Sequence, residues 1–391
     1  MLYREALFPT YAPPPIAFAR GRGVWLEDTE GGEYLDFIAG IAVNSLGHCH
    51  PRLVDALTTQ AGQLWHLSNM FDIVGQQELA ARYCELSFAD AAFFANSGAE
   101  AVECALKAAR RYHYCNGHPE RIEIIGLEGA FHGRTYASVN AAGNPKYLEG
   151  FGPSLAGYLR CRFDDLESLE SMISPTTAAV IVEPIQGEGG VRALSTEYLT
   201  ALREICTAYG ILLIFDEVQS GAGRTGKLFA HEWVPNCKPD IMALAKGIGG
   251  GFPLGLCLAT STVAAGMTPG THGTTYGGNA LAVAVGSAVL DELTAPGFLQ
   301  QVNDVSDYLH RQLRGLASEL PDRVLEVRGK GLLAGIRVAG SHTAVRDAAR
   351  DRQLLVGIAG ADVVRLAPPL IVNNAHVDTA IERLRDALLA G

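Results

Sequence analysis

Basic residues are scarce in this chain. Its 391 residues hold 31 Lys and Arg against 42 Asp and Glu, a formal net charge of −11. That balance argues against a nucleic-acid partner and against docking on an anionic membrane. No segment offers about 18 consecutive apolar residues, so no transmembrane helix is expected. The amino terminus, from Met1 to Pro9, lacks the long apolar stretch of a signal peptide, and Glu5 and Pro9 interrupt it. There is no low-complexity tract, heptad run or internal repeat. The eight cysteines make no Cys-x-x-Cys pair and read as reduced thiols in a cytoplasmic protein, several of them core filler. Cys49 lies between His48 and His50. Neighbouring side chains diverge on an extended chain and no further ligand cluster is near, so no metal is expected there.

What remains is a globular composition, 48% hydrophobic and 19% charged. The length exceeds one compact core and suits about two to three domains. The middle of the chain alternates short apolar runs with amphipathic stretches. The predicted strands are Ala91–Ala95, Arg121–Leu127, Ala178–Glu183, Ile211–Asp216, Asp240–Ala245 and Leu254–Thr260. Helical patterns such as Ala99–Arg110 and Thr196–Tyr209 lie between them. That alternation predicts an α/β fold whose central sheet is mostly parallel and covered on both faces. Ligands of such sheets collect at the carboxyl ends of the strands, where Glu183, Asp216 and Lys246 fall. The stretch to about Pro51 carries Gly-rich turns around the extended pieces Val24–Glu27 and Glu33–Phe37. The carboxyl end opens with a long helix, Leu299–Leu320. Strand-like pieces Val324–Val327, Leu332–Val338 and Val363–Leu366 and a last helix, Asp378–Leu389, follow. These ends predict a smaller α+β unit, with residues 1–50 and 296–391 flanking a large domain of 51–295.

Lys246 ends an apolar run and precedes Gly247-Ile248-Gly249-Gly250-Gly251. Desolvation disfavours an ammonium, lowers its pKa and makes the amine a nucleophile able to form a Schiff base with a carbonyl. The alternative is a lysine at a strand mouth with its head in water. Phe215-Asp216-Glu217-Val218-Gln219 places a carboxylate at another strand end. Asn96-Ser97-Gly98-Ala99-Glu100 reads as a tight turn into a helix, either a phosphate-binding amino terminus or a plain serine cap with Glu100 as its capping-box partner. Phe131-His132-Gly133-Arg134 supplies a ring able to stack on a flat group and a guanidinium able to bind a carboxylate, or a core phenylalanine beside a solvated arginine. Glu183-Pro184-Ile185-Gln186-Gly187-Glu188 ends an apolar strand with two carboxylates, of which Glu188 is the better fit to a solvated loop. Thr271-His272-Gly273-Thr274-Thr275 is a hydroxyl-rich loop that serves as a phosphate donor set or as a turn.

Taken together and in this order, these motifs resemble the class III pyridoxal phosphate aminotransferases of fold type I over nearly the whole chain. Gly40-Ile41-Ala42-Val43-Asn44-Ser45-Leu46-Gly47-His48-Cys49-His50-Pro51 resembles the amino-terminal signature of the branch that acts on N-acetylornithine. The resemblance implies pyridoxal 5'-phosphate as cofactor, transfer of a terminal amino group to 2-oxoglutarate, and a role in arginine biosynthesis. It implies that Lys246 attaches the cofactor and then shuttles the proton, and that Asp216 holds the ring nitrogen. Gln219 reaches the ring hydroxyl, and Val218 and Phe131 cover the two ring faces. Ser97, Gly98 and Ala99 cradle the phosphate. Ala99 stands where many relatives have Thr, so only its amide contributes. Thr275 completes the phosphate site of the neighbouring subunit, which makes a homodimer the smallest complete unit. Arg134 and Arg365 bind substrate carboxylates, Glu188 neutralises Arg365, Glu183 contacts the region of the reactive lysine, and Thr274 meets the acyl end of the substrate. Other acceptors on the same fold are ornithine, succinylornithine, succinyl-diaminopimelate and γ-aminobutyrate. An aminomutase or racemase on the same cofactor, or a silent cofactor-binding protein, are the remaining alternatives.

Overall fold

Seven short apolar segments assemble the central sheet of the computed structural model, which describes residues 7–12 and 15–390. Residues 1–6, part of the terminus read above for a leader, lie outside the described residues. In chain order the strands are β1 (Ala91–Ala95), β2 (Glu123–Leu127), β3 (Tyr158–Cys161), β4 (Thr177–Val182), β5 (Leu212–Asp216), β6 (Ile241–Leu244) and β7 (Gly255–Ala259). They lie in the order β1-β7-β6-β5-β4-β2-β3. All neighbours from β6 to β3 are parallel. Only β7 runs against both of its neighbours.

The burial of β4 explains its sequence. Every residue from Thr177 to Val182 is buried, so the strand reads as a continuous apolar run rather than an alternation. Its successive side chains still part to opposite faces. Val180 and Val182 join one core with Leu213, Phe215, Met242 and Leu244. Ala179 and Ile181 join the other with Leu212, Ile214, Ile241 and Ala243. The period of two is therefore intact, with helices on both sides. Each fully buried Val or Ile contributes about 1.5–3 kcal/mol. A one-residue slip would exchange the two cores completely.

The covering helices start where polar caps stand. Ser97 Oγ accepts from the Glu100 amide at the head of Gly98–Cys115, and Ser195 Oγ accepts from the Tyr198 amide at the head of Thr196–Tyr209. Asn279 caps Ala280–Leu293 through the Ala282 amide. Such caps satisfy amides that the helix cannot. The Glu100 carboxylate does not complete a capping box with Ser97, one of the two arrangements the sequence leaves open. It accepts instead from the backbone and side-chain nitrogens of Asn96, at 2.6 and 2.9 Å.

The expected strand from Arg121 begins at Glu123, where the pairing with β4 is irregular. That expected to reach Glu183 ends at Val182, ahead of Pro184, which has no amide to give to the ladder, and the Glu183 carboxylate accepts from the Phe131 amide. The edge strand β3 was not expected from its short, partly exposed Tyr-Leu-Arg-Cys run.

The two ends of the chain share a sheet. Phe18–Arg22, Trp25–Asp28 and Glu33–Asp36 pair antiparallel, and Leu354–Leu355 lies parallel to Glu33–Asp36. A second sheet joins Val324–Lys330, Leu333–Val338, Val363–Leu366 and Gly357–Ala359 in that order. Helices Phe298–Glu319 and Asn374–Ala390 pack with this carboxyl-terminal unit. It carries Arg365 on a fully buried strand.

Candidate active site

The carboxyl ends of the parallel strands deliver the polar residues to one place. Asp216 is the last residue of β5, Glu183 follows β4 directly, and Lys246 stands two residues beyond β6. The turn after β1 adds Ser97, Gly98 and Ala99, and the loop after β2 adds Phe131 and Arg134. All of these, with Val218 and Gln219, line one cleft of about 470 Å³. A cleft at this edge of a parallel sheet is the expected ligand site of the architecture.

Lys246 enters the cleft from a constrained backbone. Its φ is +47°, a left-handed conformation that costs a non-glycine residue about 1–3 kcal/mol and recurs at functional sites. The Gly249 amide closes the following turn on the Lys246 carbonyl at 3.0 Å. Burial pushes the amine down to about 8, and the charge of Arg365 adds to that, while Glu188, Asp216 and Glu183 oppose it. At pH 7 about a tenth of the amine is therefore unprotonated and nucleophilic, far more than for an ordinary lysine.

Asp216 is buried and doubly held. Its Oδ1 accepts from the Val218 amide at 3.0 Å, and its Oδ2 lies 2.8 Å from His132 Nδ1. Burial disfavours charge on His132, but the hydrogen bond to Asp216 and the charges of Asp216 and Glu183 outweigh it, and its pKa is raised. His132 Nε2 has no protein partner among the described residues. In the sequence His132 falls on the same short loop as Phe131 and Arg134 with nothing nearby to assign it a role. The missing signal is spatial, because 84 residues separate the pair. Glu183 accepts from the Phe131 amide at 2.8 Å. Burial lifts its carboxyl to about 7, with Asp216 adding to the rise and His132, the Phe131 amide and Lys246 opposing it.

At the head of the Gly98–Cys115 helix, Ser97 occupies the amides of Glu100 and Ala101. The amides of Gly98 and Ala99 have no acceptor among the described residues, as expected at a helix start. A Cβ on Gly98 would lie 2.7 Å from Val218 Cγ1. The cradle therefore requires glycine for steric reasons.

Arg365 and Glu188 form a separate pair beside the cleft. Arg365 Nη1 lies 2.5 Å from Glu188 Oε1 and donates to Gln219 Oε1 at 3.2 Å. Arg365 is buried and Glu188 only half so. Gln219 lines the cleft, so this pair is one residue removed from it. Glu188 is thus committed to an ion pair rather than to the solvated loop considered from sequence. Thr274 and Thr275 do not line the cleft of their own chain. Thr274 Oγ1 meets Asn96 Nδ2 at 3.4 Å and accepts from the Gly277 amide, while Thr275 is exposed. Asn96 itself, and the Gly251-Phe252-Pro253-Leu254 turn, line the cleft without having been singled out from sequence.

Comparison with known proteins agrees with this geometry. The family model for class-III aminotransferases matches residues 8–388. An acetylornithine aminotransferase of Mesorhizobium japonicum is 55% identical over 381 residues, covering 97% of this chain and 95% of the relative. The N-acetylornithine aminotransferase of Stenotrophomonas maltophilia K279a superposes with a TM-score of 0.85 at 37% identity, over 97% of each chain. The ornithine aminotransferase of Toxoplasma gondii, described with partial occupancy of PLP at its active site, superposes with a TM-score of 0.94 at 32% identity. That match covers 100% of this chain and 93% of the other.

Proposed function

The chain belongs to the class III aminotransferase family, and from that premise we propose that it is a pyridoxal 5'-phosphate enzyme of arginine biosynthesis. It moves the terminal amino group of N-acetylornithine to 2-oxoglutarate, giving N-acetylglutamate semialdehyde and glutamate. The observation that carries this reading is Lys246, whose amine is lowered to about 8 in a cleft that also holds Asp216.

The residues present fit the cofactor. The cradle at Gly98 would be filled by any Cβ, and the adjoining helix-start amides suit a phosphate. A nucleophilic amine and a buried carboxylate suit an aldehyde and a pyridinium. When bound, pyridoxal phosphate supplies an aldehyde to hold the migrating amino group and a ring to store the electron pair freed with the proton.

The protein does the rest. Lys246 would hold the cofactor through Nζ and, as a free amine, would take up and return the proton as general base and acid. Asp216 supplies a fixed negative charge for the ring nitrogen, and His132 fixes Asp216. Phe131 and Val218 bound the ring site, and Gln219 offers its amide to the ring hydroxyl. Ser97, Gly98 and Ala99 hold the phosphate. Arg134 binds the α-carboxylate of the donor and, in the other half-reaction, the side-chain carboxylate of glutamate. Arg365 binds the α-carboxylate of glutamate, and Glu188 neutralises it while the terminal-amine donor is bound. Glu183 borders the reacting region beside Lys246.

The same reading makes the enzyme a homodimer in which Thr275 of one copy reaches the phosphate of the other. Exposed apolar side chains near Thr275 support a second copy as the occupant of this face. Trp65, Met70, Phe71, Val74 and Tyr276 are all exposed, and His66 packs against Tyr276 with ring centroids 4.9 Å apart. The division at residues 50 and 295 and a cytoplasmic location belong to the same proposal. The eight cysteines, all free, suit a reducing compartment.

The test is to load the purified protein with pyridoxal phosphate and follow glutamate formed from N-acetylornithine and 2-oxoglutarate. Borohydride treatment should leave the cofactor on the peptide containing Lys246. Failure to take up pyridoxal phosphate, or full turnover by Lys246→Ala, would overturn the reading.

A further inference from the structure

Glu188, the partner of Arg365, rides on the turn of a short hairpin. Ile185–Gln186 and Arg192–Ala193 pair antiparallel, with Gln186 directly opposite Arg192. Between them run Gly187, Glu188, Gly189, Gly190 and Val191. The glycines make this turn soft. Val191 is held at a φ of +52°, which costs a β-branched residue energy. Such a turn does not fix a carboxylate by itself, so its ties to the rest of the protein decide where Glu188 stands.

Arg192 supplies one tie. Its Nη2 donates to Gln186 Oε1 at 2.6 Å and to the Glu128 carbonyl at 2.9 Å. Gln186 Nε2 donates to the same carbonyl at 3.1 Å. The guanidinium stacks over the Phe163 ring, 4.1 Å from its centroid. Burial lowers its pKa, and the like charge of Arg328 adds to that. An arginine placed for its charge would face a carboxylate. This one faces two neutral oxygens, and charge-assisted hydrogen bonds of that kind fix geometry.

Glu128 is a firm anchor. Its amide donates to the Cys161 carbonyl at 2.9 Å, and the loop beyond it is tied again through Phe131 to Glu183 and through His132 to Asp216. The Glu188 turn lies directly on this anchor. A Cβ on Gly189 would stand 2.5 Å from the Gly129 carbonyl oxygen and 2.6 Å from Gln186 Oε1. From the other side, the Gly360 amide donates to the Glu188 carbonyl at 2.8 Å, and Arg328 Nη1 to the Gly190 carbonyl at 3.4 Å.

Resting on the role proposed above for Glu188, we propose that Arg192 is a positioning residue that sets the discrimination between the two amino donors. By locking Gln186 to Glu128 it holds the Glu188 carboxylate on Arg365. Without it the glycine-rich turn samples more positions, and Arg365 stands unpaired for a larger share of the time. An unpaired Arg365 favours glutamate, which brings an α-carboxylate to it, and disfavours a terminal-amine donor, which brings none. Arg192 does not line the Lys246 cleft, so its effect runs through Glu188.

The experiment is a double-mutant cycle on the loaded enzyme. It reads the ratio of kcat/KM for N-acetylornithine to that for glutamate. Arg192→Met keeps the length of the side chain and its contact with Phe163 but removes both hydrogen bonds. It should lower the ratio about three- to thirtyfold, the span carried by residues that touch neither ligand. The glutamate value itself should hold or rise, which a general loss of structure would not produce. In a Glu188→Gln background the same substitution should move the ratio less than about twofold, because the group it positions is gone. A smaller fall than about threefold in the wild-type background, or a fall beyond about twofold in the Glu188→Gln background, overturns the role of Arg192 alone. If Arg192→Met takes up no pyridoxal phosphate, Phe163→Leu, which removes the ring beneath the guanidinium, takes its place under the same criteria. A Glu188→Gln protein with the wild-type ratio overturns the role of Glu188, and that of Arg192 with it. No turnover of N-acetylornithine by the wild type while glutamate reacts overturns the donor class itself.

Discussion

His132 Nδ1 lies 2.8 Å from Asp216 Oδ2, and both side chains are buried. The contact joins the loop after β2 to the end of β5. It gives Asp216 a partner that can carry positive charge and that fixes the carboxylate in orientation where it is removed from water.

His132→Phe should therefore lower kcat with N-acetylornithine about 10–100-fold, the usual cost of removing a partner that orients a functional group. His132→Asn, which retains a donor, should recover part of the loss. A kcat unchanged in both variants would show that Asp216 needs no help from the histidine.

Glu188→Gln leaves Arg365 without its counter-charge, Gln219 being its other side-chain partner among the described residues. Arg365 is then free for substrate carboxylates at all times. The expected outcome is a KM for glutamate that falls, and a kcat/KM for N-acetylornithine that falls about tenfold because the neutralised state suited to a terminal amine is lost. Parallel losses for both substrates would show that Glu188 only supports the fold. Steady-state kinetics with each donor separates the two outcomes.

Most of this arrangement was legible in the sequence, for reasons that also explain what was not. β4 and β5 are apolar on both faces, and a run such as Ala-Val-Ile-Val has few other places to go. The carboxylates and the lysine that end such runs have only the sheet edge to occupy, so the cleft was legible with them. The reversed direction of β7 was not, since Gly255–Ala259 looks like its parallel neighbours and only its pairing tells it apart. His132 was hidden because its meaning depends on a residue far along the chain. The turn Ala39–Ala42 was also hidden. Its four residues hold φ between 49° and 66°, although only Gly40 favours that region. Asp36 fixes the entry by accepting the amides of Ile38 and Ala39. The Thr274 and Thr275 loop does not line the cleft of its own chain, and the role proposed for it requires a second copy.

That dependence can be measured by mixing two inactive proteins. Lys246→Ala lacks the reactive amine, and Thr275→Asp brings a carboxylate against the phosphate of the neighbouring site. Each alone should be inactive. Unfolded and refolded together in equal amounts, the mixed dimer has one site with both Lys246 and an intact Thr275 from the other copy. Random pairing should then restore about a quarter of full activity. No recovery, in a mixture shown by tandem affinity tags to contain the mixed dimer, would place Thr275 outside the neighbouring site.

Glu183 gives a pH dependence whose sign follows from its burial. Its carboxyl is lifted from an ordinary value of 4.5 to about 7. The unfolded chain loses this proton near 4.5 and the folded protein near 7, so between those values the folded state binds more protons. Stability from this group therefore falls as pH rises through 4.5 to 7, and the whole penalty is present above 7. Glu183→Gln removes the charge but retains a carbonyl oxygen for the Phe131 amide. At pH 8 it should stabilise the cofactor-free protein by an amount on the order of 1–3 kcal/mol. At pH 4.5 the two proteins should be nearly equal. Urea unfolding at both pH values tests this. A Glu183→Gln protein that is less stable than wild type at pH 8 would mean that the charged carboxylate is held by partners stronger than its burial.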